Sequence, residues 1–86
     1  MKIYLFYRPQ VGMDLAIDTF LKLLDRHKSK LQVINVDSRQ GDQLSRLYDL
    51  MDYPSVVVVR DDGVQVESWQ GKLPYLEDLN PYLQQM

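Results

Sequence analysis

A run of four valines constrains the fold of this chain more than any other segment. Val56–Val59 has no polar alternation, which is typical of a strand buried on both faces of a sheet, so we predict a central strand over Ser55–Arg60. Asp61-Asp62-Gly63 follows directly, and an Asp-Gly pair favours a tight hairpin because both residue types tolerate a positive φ. We therefore predict that the next strand, over Val64–Trp69, is antiparallel to the central strand and lies at an edge of the sheet.

The rest of the chain alternates between predicted strands and helices. Lys2–Tyr7 and Leu31–Asp37 are rich in aromatic and β-branched residues, which predicts two strands. Elsewhere apolar residues recur three and four positions apart, which predicts three helices. The first helix has its apolar residues between Met13 and Leu24, with Arg26, His27 and Lys28 in the last turn. The second covers about Asp42–Met51, after a turn at Ser38–Gly41, with Leu44, Leu47, Tyr48 and Met51 on its apolar face. The third covers Leu73–Leu83, with Pro74 in the first turn. Pro81 predicts a kink or break near Asn80, since an interior proline removes a hydrogen bond.

Composition excludes several classes of function. The 86 residues contain no cysteine, so the chain has no thiol nucleophile, disulfide or thiolate metal ligand of its own. Ten basic residues against twelve acidic ones give a net charge of -2, too balanced for a binder of nucleic acid or of a membrane surface. The apolar run Ile3–Tyr7 is too short for a signal peptide or a membrane span. We expect one cytoplasmic domain over 1–86, with no cofactor and no metal, since His27 lacks a second ligand.

The βαβαββα order of elements leads to a resemblance that covers nearly the whole chain. The sequence resembles the thioredoxin-like superfamily in three stretches: Phe6–Asp14, Tyr53-Pro54-Ser55, and Asp61-Asp62-Gly63 through Trp69-Gln70-Gly71 to Leu79. The resemblance implies an α/β fold with a four-stranded mixed sheet in the order 2-1-3-4, two helices on one face and one on the other. It also implies a cis peptide bond before Pro54.

The resemblance does not extend to the chemistry of the family. The Cys-x-x-Cys motif of thioredoxins corresponds to Val11-Gly12-Met13-Asp14, and the glutaredoxin alignment, shifted by one residue to Gln10–Met13, is equally free of thiols. Thioredoxins act through a low-pKa thiolate that attacks a disulfide. Dithiol exchange, deglutathionylation and thiol peroxidase activity are therefore excluded for these side chains, and no catalytic residue is assigned.

A binding role is the function that the resemblance implies. The substrate surface of the family corresponds here to Arg8, Val11, Gly12 and Met13, to Tyr53, Pro54 and Ser55, and to Gln70, Gly71 and Lys72. The main chain of Tyr53 would pair with an extended segment of a protein or peptide partner, and Arg8 or Lys72 would pair with a carboxylate. The expected function is that of a redox-inactive binding or adaptor module.

Two alternatives remain open at this point. Tyr7 resembles the tyrosine that activates the thiol in several glutathione transferases, and Glu67-Ser68 resembles their glutathione-binding pair. Glutathione is therefore a possible ligand of a transferase-like domain. The other alternative is a structural module that buries Val64–Trp69 against a second copy, so we expect a monomer or a weak dimer.

Overall fold

The computed structural model describes residues 1–9 and 13–84. The elements, in chain order, are β1 (Lys2–Tyr7), α1 (Met13–Leu23), a 3-10 segment (Asp25–Lys30), β2 (Leu31–Asn35), α2 (Arg39–Leu47), β3 (Ser55–Val59), β4 (Gln65–Gln70) and α3 (Leu76–Leu83). Within these ranges, no helix combines the length and the apolar character that crossing a lipid bilayer requires.

The four strands form one mixed sheet in the order β2-β1-β3-β4. β1 and β2 are parallel, whereas β3 is antiparallel to both of its neighbours, β1 and β4. Every residue of Ser55–Val59 is buried, and Gly63 takes a φ of 88° in the hairpin that follows. The predictions of a central valine strand, a hairpin at Asp61-Asp62-Gly63, an edge position for β4 and the order 2-1-3-4 are confirmed.

Helices cover both faces of the sheet. α1 and α3 pack on the face that carries Ile3, Leu5, Val56 and Val58, which we call the α1/α3 face. α2 packs on the opposite face, which carries Phe6, Ile34, Val57 and Val59 and which we call the α2 face. The prediction of two helices on one face and one on the other is therefore confirmed.

The first helix is shorter than predicted. α1 ends at Leu23, and Arg26, His27 and Lys28 lie in the 3-10 segment that follows, not in the last turn of α1. The amide of Leu24 is shared between the carbonyls of Phe20 and Leu21, at 3.3 and 3.2 Å, which is the geometry of an α-helix tightening at its end. Leu24 is buried, and His27 has non-helical angles, so the chain turns here towards β2.

The boundaries and the buried face of α2 also differ from the prediction. The expected turn at Ser38–Gly41 is in fact the start of the helix, because the Ser38 hydroxyl caps it by accepting from the Gly41 amide at 3.0 Å. The helix ends at Leu47, which is 68% exposed, and Met51, beyond it, is 82% exposed. Gly41 and Ser45 are buried, and Leu44 and Tyr48 pack against the core, as their spacing predicts. A Cβ on Gly41 would lie 1.9 Å from the Asn35 carbonyl oxygen, so the first turn of the helix approaches the end of β2 too closely for any side chain at this position.

The last helix passes through its proline without a break. α3 begins at Leu76, with the Tyr75 amide donating to the Asp78 carboxylate at 3.2 Å. Beyond Pro81 the Gln84 amide donates to the Asn80 carbonyl at 3.1 Å. Pro81 lies on the exposed side of the helix, where solvent can hydrate the carbonyl that it leaves without a donor. The predicted break near Asn80 is wrong for this reason.

Candidate functional site

One end of the sheet gathers most of the residues predicted to bind a partner. Because β3 is antiparallel to β1 and β4, the end of β1, the start of β3 and the end of β4 meet there. Arg8, Tyr53, Pro54, Gly71 and Lys72 lie at this end, and we call them the proline surface. Val11 and Gly12 lie outside the described residues, and Met13 is the first residue of α1.

The loop before β3, residues 51–54, is held against the end of β4, and we call it the proline loop. The Tyr53–Pro54 peptide bond is cis. The Pro54 carbonyl accepts from the Gly71 amide at 3.0 Å, and the Met51 amide donates to the Gln70 side-chain oxygen at 3.0 Å. These two bonds bring together two segments that are far apart in sequence.

Gly71 allows the chain to turn away directly after β4. Its φ of 84° is one that residues with a Cβ rarely adopt. A Cβ at this position would lie 3.4 Å from the Asp52 Cβ, an ordinary van der Waals distance. The turn, and not a lack of space, is therefore what requires glycine here.

Tyr53 offers an unpaired main chain at this surface. Within residues 1–9 and 13–84, its amide and carbonyl groups have no hydrogen-bond partner. Its ring is half-buried and packs on the α2 face, and its hydroxyl donates to the Leu50 carbonyl at 3.4 Å. The side chain thus anchors the residue while the main-chain groups stay available for pairing.

Arg8 connects three elements at the proline surface. Its guanidinium carbon lies 5.3 Å from the centroid of the Tyr53 ring, a cation–π distance. Its Nε lies 3.4 Å from Oδ1 of Asp37. Asp37 is a residue that the sequence analysis did not select. The parallel pairing of Tyr7 with Asn35 places the residues after β1 and β2 side by side, so strand alignment could have indicated this partner.

Ser55 belongs to the core and not to the binding surface. Its side chain is 0% exposed, and its hydroxyl donates to the Asp52 carbonyl. The resemblance assigned Ser55 to the substrate surface, but Ser55 pairs with Phe6 and Gln70 inside the sheet. The Ser55 side chain therefore helps to hold the proline loop and cannot contact a partner.

The three residues of the glutathione alternative lie on different parts of the sheet. Glu67 pairs with Val58, which pairs with Ile3, four residues before Tyr7 and two strands away. At about 3.3 Å per residue and about 4.8 Å between strands, Tyr7 and Glu67 are roughly 16 Å apart. Ser68 pairs with Val57 and so lies on the opposite face. Tyr7 instead lines a groove of about 390 Å³ between α1 and β2.

Exposed apolar side chains occur in segments that adjoin the proline surface in sequence. Met51, at the Gln70 contact, and Tyr75, just before α3, are 82% and 74% exposed. Leu15, in the first turn of α1, is also exposed. Within 1–9 and 13–84, no group of three or more His, Asp or Glu side chains could hold a metal ion. The arrangement therefore offers main-chain pairing, apolar contact and positive charge.

Comparison with known proteins identifies the fold but no close relative. No family model matches the chain, and no curated protein matches its sequence. Among solved structures, the solution structure of a thioredoxin from Thermus thermophilus superposes with a TM-score of 0.60 and 23% sequence identity, covering 96% of this chain and 70% of that one.

Proposed function

Because this chain has the thioredoxin-like fold without its cysteine pair, we propose that it is a redox-inactive binding module that holds an extended segment of a protein partner on the proline surface. The observation that carries the proposal is the main chain of Tyr53, whose amide and carbonyl groups are unpaired within the described residues. A segment that lies beside them would gain main-chain hydrogen bonds independent of its sequence, as in β-strand addition.

Side chains around Tyr53 would supply the selectivity. Lys72 is exposed, and no described carboxylate pairs with it, whereas the charge of Arg8 is shared with Asp37. Lys72 is therefore the cation available to a partner. Met51 and Tyr75 offer exposed apolar contacts. This combination favours a segment with an apolar residue and a carboxylate near its point of main-chain pairing.

A selection of random linear peptides displayed on phage tests the proposal. Peptides that bind the folded domain are titrated into isotope-labelled protein, and the amide shifts are mapped by NMR. We expect the shifts to concentrate at Arg8, Tyr53, Gly71 and Lys72, and the selected peptides to be enriched in acidic and apolar residues. Shifts that map elsewhere, or a selection that yields no binding peptide, would contradict the proposal.

Matched variants distinguish binding at the proline surface from non-specific binding to exposed apolar side chains. Met51→Ser and Lys72→Glu should each weaken peptide binding about fivefold, as expected for partly exposed contacts. Leu23→Ser is the control, because Leu23 is 58% exposed at the end of α1, the far end of the sheet. Equal losses in Met51→Ser and Leu23→Ser would show that binding does not use the proline surface.

A further inference from the structure

A second depression lies at the end of the sheet opposite the proline surface. It has a volume of about 340 Å³ and is formed by the starts of β1 and β2, the end of the 3-10 segment, and the β3–β4 hairpin. Small-molecule sites range from about 300 to 1,000 Å³, so the depression would fit a small ligand. Neither the fold nor the proposed peptide binding assigns it a role.

The charge around this depression is mainly positive. Lys2 and Lys30 line it and are both exposed, and no described carboxylate forms an ion pair with either. The acidic residue of the lining, Asp61, pairs with the amino group of Met1 at 3.2 Å. Ser29 and Gln32 add a hydroxyl and an amide to the same wall. Two lysines beside neutral donors are suited to an anion.

Tyr4 and Leu31 complete the lining of the depression. Tyr4, the register partner of Gln32, lines the depression and is half-buried. Phe6 and Tyr48 pack against its ring, with centroids 6.2 Å away in both cases. Tyr4 therefore places an aromatic ring, supported by two others, next to the lysines. A planar group can stack on such a ring.

We propose that this depression binds a small organic phosphate that carries a planar ring, of the size and chemistry of a nucleoside monophosphate. Lys2 and Lys30 neutralise the phosphate, Ser29 and Gln32 donate hydrogen bonds, and Tyr4 stacks on the ring. The site is separate from the proline surface, so peptide binding and phosphate binding can be tested independently.

Titrations with AMP, adenosine and inorganic phosphate test the proposal. We expect AMP to shift the amide signals of Tyr4, Lys30 and Gln32, and to bind at least about tenfold more tightly than either adenosine or phosphate, because each of these lacks one of the two contacts. Affinity for AMP should also fall between 0.05 and 0.5 M salt. Phosphate binding as tightly as AMP, or no shifts with 10 mM AMP, would overturn the proposal.

Four variants assign the contacts. Lys30→Gln should weaken AMP binding about fivefold, whereas Lys22→Gln, which removes the same charge from α1 on the opposite face of the sheet, should leave it unchanged. Tyr4→Phe keeps the ring and should bind AMP as the wild type does. Tyr4→Leu should lose the preference of AMP over phosphate, provided that its amide spectrum shows the native fold. Equal effects of Lys30→Gln and Lys22→Gln would reduce the site to general electrostatic attraction and refute it.

Discussion

At the scale of single residues, Gly41 is an exception to the rule of helix propensity. In a helix, alanine is more favourable than glycine by about 1 kcal/mol, so propensity alone predicts that Gly41→Ala stabilises the protein. We expect the reverse, a loss of about 2–3 kcal/mol, because the added Cβ would lie against the Asn35 carbonyl and force α2 away from the sheet. Urea denaturation measures the difference. Gly63→Ala is the comparison, since nothing lies near that position, and its loss should be smaller, about 1 kcal/mol.

Tyr48 gives a prediction for alkaline pH. Burial, and secondarily the nearby Tyr4, raise the pKa of Tyr48 above its usual 10.0. The folded state therefore holds this proton more tightly than the unfolded state, so the resulting stability is present below pH 10 and is lost as the pH rises through the folded pKa. Tyr48→Phe removes this dependence. From pH 9 to pH 11 the wild type should therefore lose unfolding free energy relative to Tyr48→Phe. A difference between the two proteins that stays constant with pH would contradict the assignment.

Single residues also show how much of the candidate site could be predicted from the sequence. The positions of Arg8, Tyr53 and Gly71 at one end of the sheet could be predicted, because they follow from the order of the strands. The burial of Ser55 and the pairing of Arg8 with Asp37 could not be predicted from local motifs, since both depend on the register between strands. Contacts between residues on different strands can be predicted only after the pairing of the strands is known.

At the scale of elements, Pro81 offers a direct test. A proline in a helix interior costs stability because it lacks an amide donor and crowds the preceding turn. Since α3 continues through Pro81, Pro81→Ala should stabilise the protein by about 1–2 kcal/mol, less than the full helix cost of about 3 kcal/mol because proline also restricts the unfolded chain. Thermal unfolding measures the change. A lower Tm in the variant would indicate that Pro81 makes packing contacts that matter more than the lost hydrogen bond.

The strands could be predicted more reliably than the helices. β3 was recognisable because four consecutive valines suit a strand buried on both faces. The inner face of α2 could be predicted only in part. Leu44 and Tyr48 pack on the core as their spacing predicts, whereas Leu47 and Met51 fit the same period but are exposed, and the small residues Gly41 and Ser45 are buried. Apolar spacing identifies a helix, but it does not show how closely the helix packs.

At the scale of the whole molecule, the open edge of β4 raises the question of self-association. Val64 and Val66 are exposed there, but the register of β3 and β4 shifts between Val58 and Val59, and Glu67 is exposed in the middle of the strand. A bulge and a charged residue both disfavour pairing between edges. We expect the wild type to be a monomer at 100 µM in sedimentation velocity, and the Glu67→Val variant to self-associate more strongly. A variant that associates no more than the wild type would refute the role of the edge charge.

The bonds that fasten the proline loop to the end of β4 have a consequence for ligand design. Because the Gly71–Pro54 and Met51–Gln70 hydrogen bonds order this part of the domain before any ligand arrives, most of the conformational entropy lost on binding would come from the peptide. Cyclising a selected peptide in its bound shape should therefore tighten binding more than adding residues to a flexible one. A short, rigid macrocycle is the natural reagent for this surface.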